Sequence, residues 1–278
     1  MKYSLTKNKF ITVNGKKIAY REIGVGNFEK PLVMLVHLAA TMDNWDPKTI
    51  DLIAKKNHVI AIDLPGVGSS EGKVATTIPG MAEQTNKIIK KLGFKKINLL
   101  GLSMGGMIAQ EVVHLNSNLV DKLILVGTAP RGGSGLTNVA TTTFGYIFRA
   151  MFTCNDPKRF IFYNHDKAGK ADADEILGRM NARTKEFRSK NMKVRGFLRQ
   201  LCAIRRYGKA QAEDMKFISQ QTLIVNGDKD LMVPIENSYV MNEKIANSEL
   251  IIYPNAGHGS LFQLPEKFSK DLQKFLEK

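Results

Sequence analysis

The chain has 278 residues, 43% hydrophobic and 24% charged, with a formal net charge of +15. That length supports a sizeable core, and no run of about 18 apolar residues is present to span a bilayer. Residues 1–10 mix Lys2, Lys7 and Lys9 with single apolar residues, so no secretory signal is expected and the protein is expected in the cytoplasm.

Two cysteines, Cys154 and Cys202, lie outside any CxxC or Cys/His cluster, so free thiols, no metal site and no cofactor are expected. Residues 131–215 hold 17 Lys and Arg against 8 Asp and Glu, a net of +9 out of the total +15. No zinc finger, RNP-type aromatic stripe or basic-region heptad accompanies this excess, so nucleic-acid binding is not expected as the main function. The pattern reads as a solvated basic face, and a small-molecule substrate of acidic or polar character is the functional expectation it raises.

In chain order, Phe10 to Val13 and Lys17 to Glu22 flank Asn14-Gly15, a dipeptide that supplies the positive φ angles of a tight hairpin turn. Six short apolar runs follow: Leu32 to Val36, Val59 to Ile62, Ile97 to Leu100, Leu123 to Val126, Leu223 to Val225 and Leu250 to Ile252. Runs without alternation predict parallel strands covered on both faces. Between them come helical spacings, such as Met81, Thr85, Ile88, Ile89 and Leu92, or Met107, Ile108, Val112 and Leu115. The chain closes on another, with Phe268, Leu272, Phe275 and Leu276 on one side. The fold class expected is α/β, a mostly parallel sheet flanked by helices.

That rhythm stops at the Gly- and Pro-rich stretch 128–135. Residues 131–215 lack strand patterns and carry helical ones, for example Val194, Phe197, Leu198 and Leu201. The organisation expected is a core of residues 1–130 and 216–278 with a helical cap of residues 131–215.

The strongest chemical signal is Gly101-Leu102-Ser103-Met104-Gly105, preceded by an apolar strand and followed by a helical pattern. The pentapeptide would arise by chance in roughly one chain in ten of this size. Its setting carries more weight. A nucleophilic hydroxyl stands clear of a sheet on a strained strand-to-helix turn, and glycines two positions either side let the backbone bend that sharply. No Gly-Lys-Ser/Thr follows, so a phosphate loop does not fit. Gly66-Val67-Gly68 lacks the third glycine of a dinucleotide fingerprint and reads as a turn.

With Ser103 the sequence resembles the α/β-hydrolase family over its whole length, in particular small cap-bearing members that are esterase-like or similar to non-haem haloperoxidases. That family carries His-Gly-x, Asp-x-x-Gly-x-Gly-x-Ser, the elbow, Gly-x-x-Asp-x-x-Val-Pro and a late Gly-His. This chain has His37-Leu38-Ala39, Asp63 through Ser70, the elbow, Gly227 through Pro234, and Gly257-His258.

A serine hydroxyl needs a base during attack, and imidazole titrates near neutral pH. Of five histidines, His258 lies in a loop after the last apolar strand, able to reach the sheet's carboxyl edge. His37 ends a strand, His58 opens one, His114 lies down the helix after Ser103, and His165 lies in the cap. The base needs a carboxylate to fix its tautomer, and Asp230 stands at the family's position, with Asp228 as the weaker alternative. The resemblance implies catalytic Ser103, Asp230 and His258, with the amides of Met104 and Ala39 as oxyanion hole. Leu38 stands where glycine is usual, which leaves its own amide as the alternative second donor. Trp45 is expected to pack below this loop.

The activity expected is hydrolysis of an ester or related acyl bond through an acyl-enzyme. Perhydrolysis, or cleavage at a carbon centre, would use the same triad, because the pocket decides the chemistry. A non-catalytic ligand-binding homologue is the third reading.

Overall fold

A computed structural model describes residues 2–26 and 30–278. Met1 and residues 27–29 of the expected 1–130 core segment lie outside them. The two hairpin arms and the six apolar runs become the strands of one eight-stranded sheet: β1 (Lys9–Val13), β2 (Lys16–Ile23), β3 (Leu32–Leu35), β4 (Val59–Ile62), β5 (Ile97–Leu102), β6 (Val120–Val126), β7 (Gln221–Gly227) and β8 (Ser248–Tyr253). The order is β1-β2-β4-β3-β5-β6-β7-β8. β2 runs antiparallel to β1 and β4, and every other pairing is parallel. The hairpin turn holds Asn14 at φ 49° and Gly15 at φ 70°, the positive pair a tight two-residue connection needs.

β3, β4 and β5 are buried at every position, which is why their sequences do not alternate. The side chains still alternate in direction. Val33 and Leu35 join a core layer with α2 (Ile78–Lys91), α3 (Met104–Leu115) and α8 (Glu236–Lys244). Leu32 and Met34 join the other layer with α1 (Pro47–Ala54) and α10 (Pro265–Leu276), so helices cover both faces. The short α9 (Ser260–Gln263) precedes α10.

Between β6 and β7 the chain is helical: α4 (Val139–Thr153), α5 (Lys158–Phe162), α6 (Lys167–Asn181) and α7 (Val194–Lys209), joined by short 3₁₀ turns and loops. α6 and the turn that follows it are strapped to the rest of the chain by arginines. Arg179 Nε lies 2.8 Å from Asp46 Oδ1 and its Nη2 3.2 Å from Oδ2, while Asp46 also N-caps α1 through the Thr49 amide. Arg183 donates to the carbonyls of Tyr3 (2.8 Å) and Thr6 (2.7 Å). Asp46 is fully buried, and these bonds satisfy both of its carboxylate oxygens, which would otherwise be costly to desolvate.

The face of α7 departs from the sequence pattern. Its buried stripe is Gly196, Gln200, Ala203, Ile204 and Tyr207, with Leu201 alongside, whereas Val194 and Leu198 stay exposed. Periodicity marks an apolar stripe but not the side from which the neighbouring element arrives.

Candidate active site

β5 ends at Leu102 and α3 begins at Met104, leaving Ser103 alone on the bend between them. Its backbone sits at φ 55°, ψ −119°, a conformation that costs an L-residue about 1–3 kcal/mol and survives only where the surroundings over-determine it. Here they do. The Ser103 amide donates to Val126 O at 2.8 Å, and its carbonyl accepts from Gly106 N at 2.9 Å and from Thr128 Oγ1 at 2.7 Å. The flanking glycines are steric necessities: a Cβ at Gly101 would stand 2.3 Å from Gly105 O, and one at Gly105 would stand 2.1 Å from Leu35 O.

The loops after β7 and β8 bring Asp230 and His258 together. His258 Nδ1 lies 2.7 Å from Asp230 Oδ2. Asp230 Oδ1 accepts the amides of Met232 (2.8 Å) and Val233 (2.9 Å), so both carboxylate oxygens are fixed. With Nδ1 engaged, Nε2 is the nitrogen free to take a proton. Asp228, the alternative carboxylate, is exposed. Ser103 and His258 line one cavity of ≈340 Å³, and no hydrogen bond joins them among the described residues.

Three of the remaining histidines are occupied elsewhere. His58 pairs with Glu22 Oε1 at 2.7 Å, His114 packs on Phe217, and His165 bonds Phe160 O. His37 also lines the cavity, with Nδ1 2.8 Å from Leu38 O. Burial pushes its pKa down to about 3, so it is neutral across the physiological range. Phe162 lies against both cavity histidines, its ring centroid 4.4 Å from that of His37 and 5.2 Å from that of His258, tilted to each.

Met104 opens α3, and its N–H is one of those a helix leaves without an internal partner. Ala39 sits at φ 61° in the turn closed by Ala40 N to His37 O at 3.4 Å. Its N–H donates to Gln200 Oε1 at 2.8 Å. An acceptor oxygen from α7 therefore already rests on this amide. Leu38, the alternative donor, lines the cavity.

The Gly66-Val67-Gly68 segment is a turn organised by Asp63. That buried carboxylate accepts from Met42 N (2.8 Å), Ser69 N (3.1 Å) and Ser189 Oγ (3.1 Å), and burial pushes its pKa up to about 6. A Cβ at Gly68 would lie 2.1 Å from Asp63 Oδ2, which explains the glycine. Trp45 packs as expected, fully buried and edge-on to Phe262.

The cavity walls are apolar: Leu38, Met107, Ile147, Phe162, Phe197 and Met232 contribute. Lys158 is the one cation lining it among the described residues, and its Nζ lies 3.1 Å from Asp156 Oδ2. The excess positive charge of residues 131–215 thus does not face the cavity.

The model of the α/β hydrolase fold family matches residues 30–265. The chain belongs to the α/β-hydrolase fold family. This α/β hydrolase is 27% identical, over 97% of its length and 91% of the relative's, to the 2-hydroxy-6-oxo-6-(2'-aminophenyl)hexa-2,4-dienoic acid hydrolase of Metapseudomonas resinovorans. It is 25% identical to a non-heme haloperoxidase of Rhodococcus erythropolis, over 96% and 99% of the two chains. Among solved structures, an α/β hydrolase fold protein from Chitinophaga pinensis superposes with a TM-score of 0.91 at 31% identity, covering 99% and 98% of the chains.

Two residues of this α/β-hydrolase site carried no sequence signal: Gln200, which bonds the Ala39 amide, and Phe162, which lies against both cavity histidines. The Thr128 hydroxyl braces the turn from just after the next strand by donating to the Ser103 carbonyl.

Proposed function

We propose that this α/β hydrolase cleaves an ester or related acyl bond of a small, largely apolar molecule through Ser103, His258 and Asp230. The observation that carries the reading is the strained Ser103 sharing a cavity with an imidazole whose far nitrogen is bonded to a doubly anchored carboxylate.

Ser103 Oγ attacks the carbonyl carbon while its proton passes to His258 Nε2. Asp230 holds the ring in the tautomer that leaves Nε2 open and stabilises the imidazolium that forms. The tetrahedral oxyanion accepts from the Met104 amide at the start of α3 and from the Ala39 amide, where it takes the place of Gln200 Oε1. Collapse expels the alkoxide, which receives its proton from His258. Water then attacks the acyl-enzyme with His258 again as base, releasing the carboxylic acid and restoring the Ser103 hydroxyl. Residues 131–215 act as a cap that supplies the outer wall of the cavity and keeps bulk water from the acyl-enzyme.

A second reading, hydrolysis of a carbon–carbon bond beside a carbonyl, is favoured by the relative matched over nearly the whole chain, whose name describes a hydrolase of a dienoic acid. The same serine and histidine would serve, with a carbanion in place of the alkoxide as leaving group. A panel of p-nitrophenyl esters of increasing chain length, run beside a ring-cleavage dienoic acid and peroxide-dependent bromination, separates the readings. Ester turnover at least about tenfold above the other two in kcat/KM is expected, and the reverse order would transfer the assignment.

A further inference from the structure

We propose that the outer face of α4 and α7 is a docking surface for an anionic lipid interface. On α4, Phe144, Phe148, Met151 and Phe152 recur at i, i+4, i+7 and i+8, the spacing of a single apolar stripe. Such a stripe normally packs on a core. This one faces solvent, with Phe148, Met151 and Phe152 61%, 71% and 73% exposed. The rings of Phe148 and Phe152 pack on each other at 4.6 Å, and Phe144 meets Phe197 of α7 at 5.9 Å, which joins the two helices into one patch. Val194 and Leu198 extend it along α7.

The charge carried by these two helices has one sign. α4 and α7 contain no acidic residue, and they carry Arg149, Arg195, Arg199, Arg205, Arg206 and Lys209. Arg199 and Arg206 bond the carbonyls of Val74 and Thr76, and among the described residues no carboxylate pairs with either. Exposed aromatic and Met side chains bordered by arginines fit the plane of an anionic headgroup layer, where the rings enter the acyl boundary and the guanidinium groups meet phosphates. A second copy of the chain is a poor occupant, because it would bring the same basic face from a molecule of net charge +15.

The position of the patch gives it a role. Thr143 and Ile147 of α4 and Val194 and Phe197 of α7 line the cavity that holds Ser103. The helices that touch the interface therefore also wall the site, and an apolar substrate dissolved in lipid would reach the cavity without crossing bulk water. The docking itself requires no turnover, so it stands or falls separately from the proposed reaction.

The test is flotation of the full chain with phosphatidylcholine vesicles that contain or lack phosphatidylglycerol, at low and high salt. The parent is expected to float with the phosphatidylglycerol vesicles at low salt and to be released by high salt or by omission of the anionic lipid. The variant Phe148→Ser/Met151→Ser/Phe152→Ser, which alters only solvent-exposed side chains outside the cavity, is expected to lose binding by about tenfold or more while turning over a water-soluble ester at the parental rate. Equal flotation of parent and variant, or no flotation of the parent with either vesicle, would overturn the proposal. So would a concentration-dependent dimer of the parent that the variant lacks, which would give the face to a second copy.

Discussion

Asp230 reaches His258 across 2.7 Å with one carboxylate oxygen while two backbone amides hold the other. The imidazole is thus oriented by a group that cannot itself rotate. In Asp230→Asn, the carbonyl oxygen can keep the two amides, and the NH₂ then faces His258 Nδ1 and forces the proton onto Nε2, the wrong tautomer for a base. A fall in kcat of roughly 10³–10⁴ with an unchanged circular dichroism spectrum is expected. Retention of more than about a tenth of parental kcat would remove Asp230 from the mechanism.

The contact between Gln200 Oε1 and the Ala39 amide yields a second expectation. Gln200→Glu keeps the size of the side chain but puts a charged acceptor on that amide, where it competes with the oxyanion and repels it. A decrease in kcat of about tenfold to a hundredfold, larger than any change in KM, is expected. An unaltered kcat would leave the second donor to Leu38.

His37 sets a stability dependence on pH. Its folded pKa is lowered to about 3 from 6.5, so the unfolded chain takes up a proton that the native state refuses as pH falls between those values. The His37 contribution is fully present above pH 6.5 and is lost progressively below it. Asp63, raised to about 6 from 3.8, works in the opposite sense, its contribution being lost as pH rises through about 6. Comparing parent with His37→Asn cancels Asp63. Urea unfolding should show the parent losing about 3 kcal/mol more than the variant between pH 7 and pH 4. Parallel pH profiles would contradict the assignment.

Gly105 permits α3 to approach β3. The variant Gly105→Ala would place its methyl 2.1 Å from Leu35 O, a backbone atom that cannot swing aside. Destabilisation by roughly 3 kcal/mol or more is expected, read as a drop in melting temperature and in soluble yield. A variant as stable as the parent would show that the strand-to-helix bend has room for a side chain at position 105.

Much of this was legible in the sequence because it is local. The unbroken apolar runs became the sheet, with strand ends shifted by a few residues: β6 starts at Val120 rather than Leu123, since Asp121 and Lys122 at the sheet's rim hide its first turn of pattern. Gly101-x-Ser103-x-Gly105 is read directly because its glycines answer clashes within a few residues of the bend and with one neighbouring strand. The Gln200 to Ala39 bond joins residues 161 positions apart, and no local rule announces it. The basic composition of residues 131–215 suggested an acidic substrate, yet only Lys158 of those cations reaches the cavity among the described residues. Composition counts charges without saying which way they point.

The most direct test of the proposed mechanism is intact-mass and peptide analysis of the protein after exposure to a fluorophosphonate, set beside ester turnover by parent and Ser103→Ala. The proposal expects one adduct per chain, on Ser103, with parallel loss of activity, and a Ser103→Ala variant that folds normally but neither labels nor turns over ester above roughly a ten-thousandth of the parental kcat. A label carried on another residue, or an undiminished rate in Ser103→Ala, would contradict it.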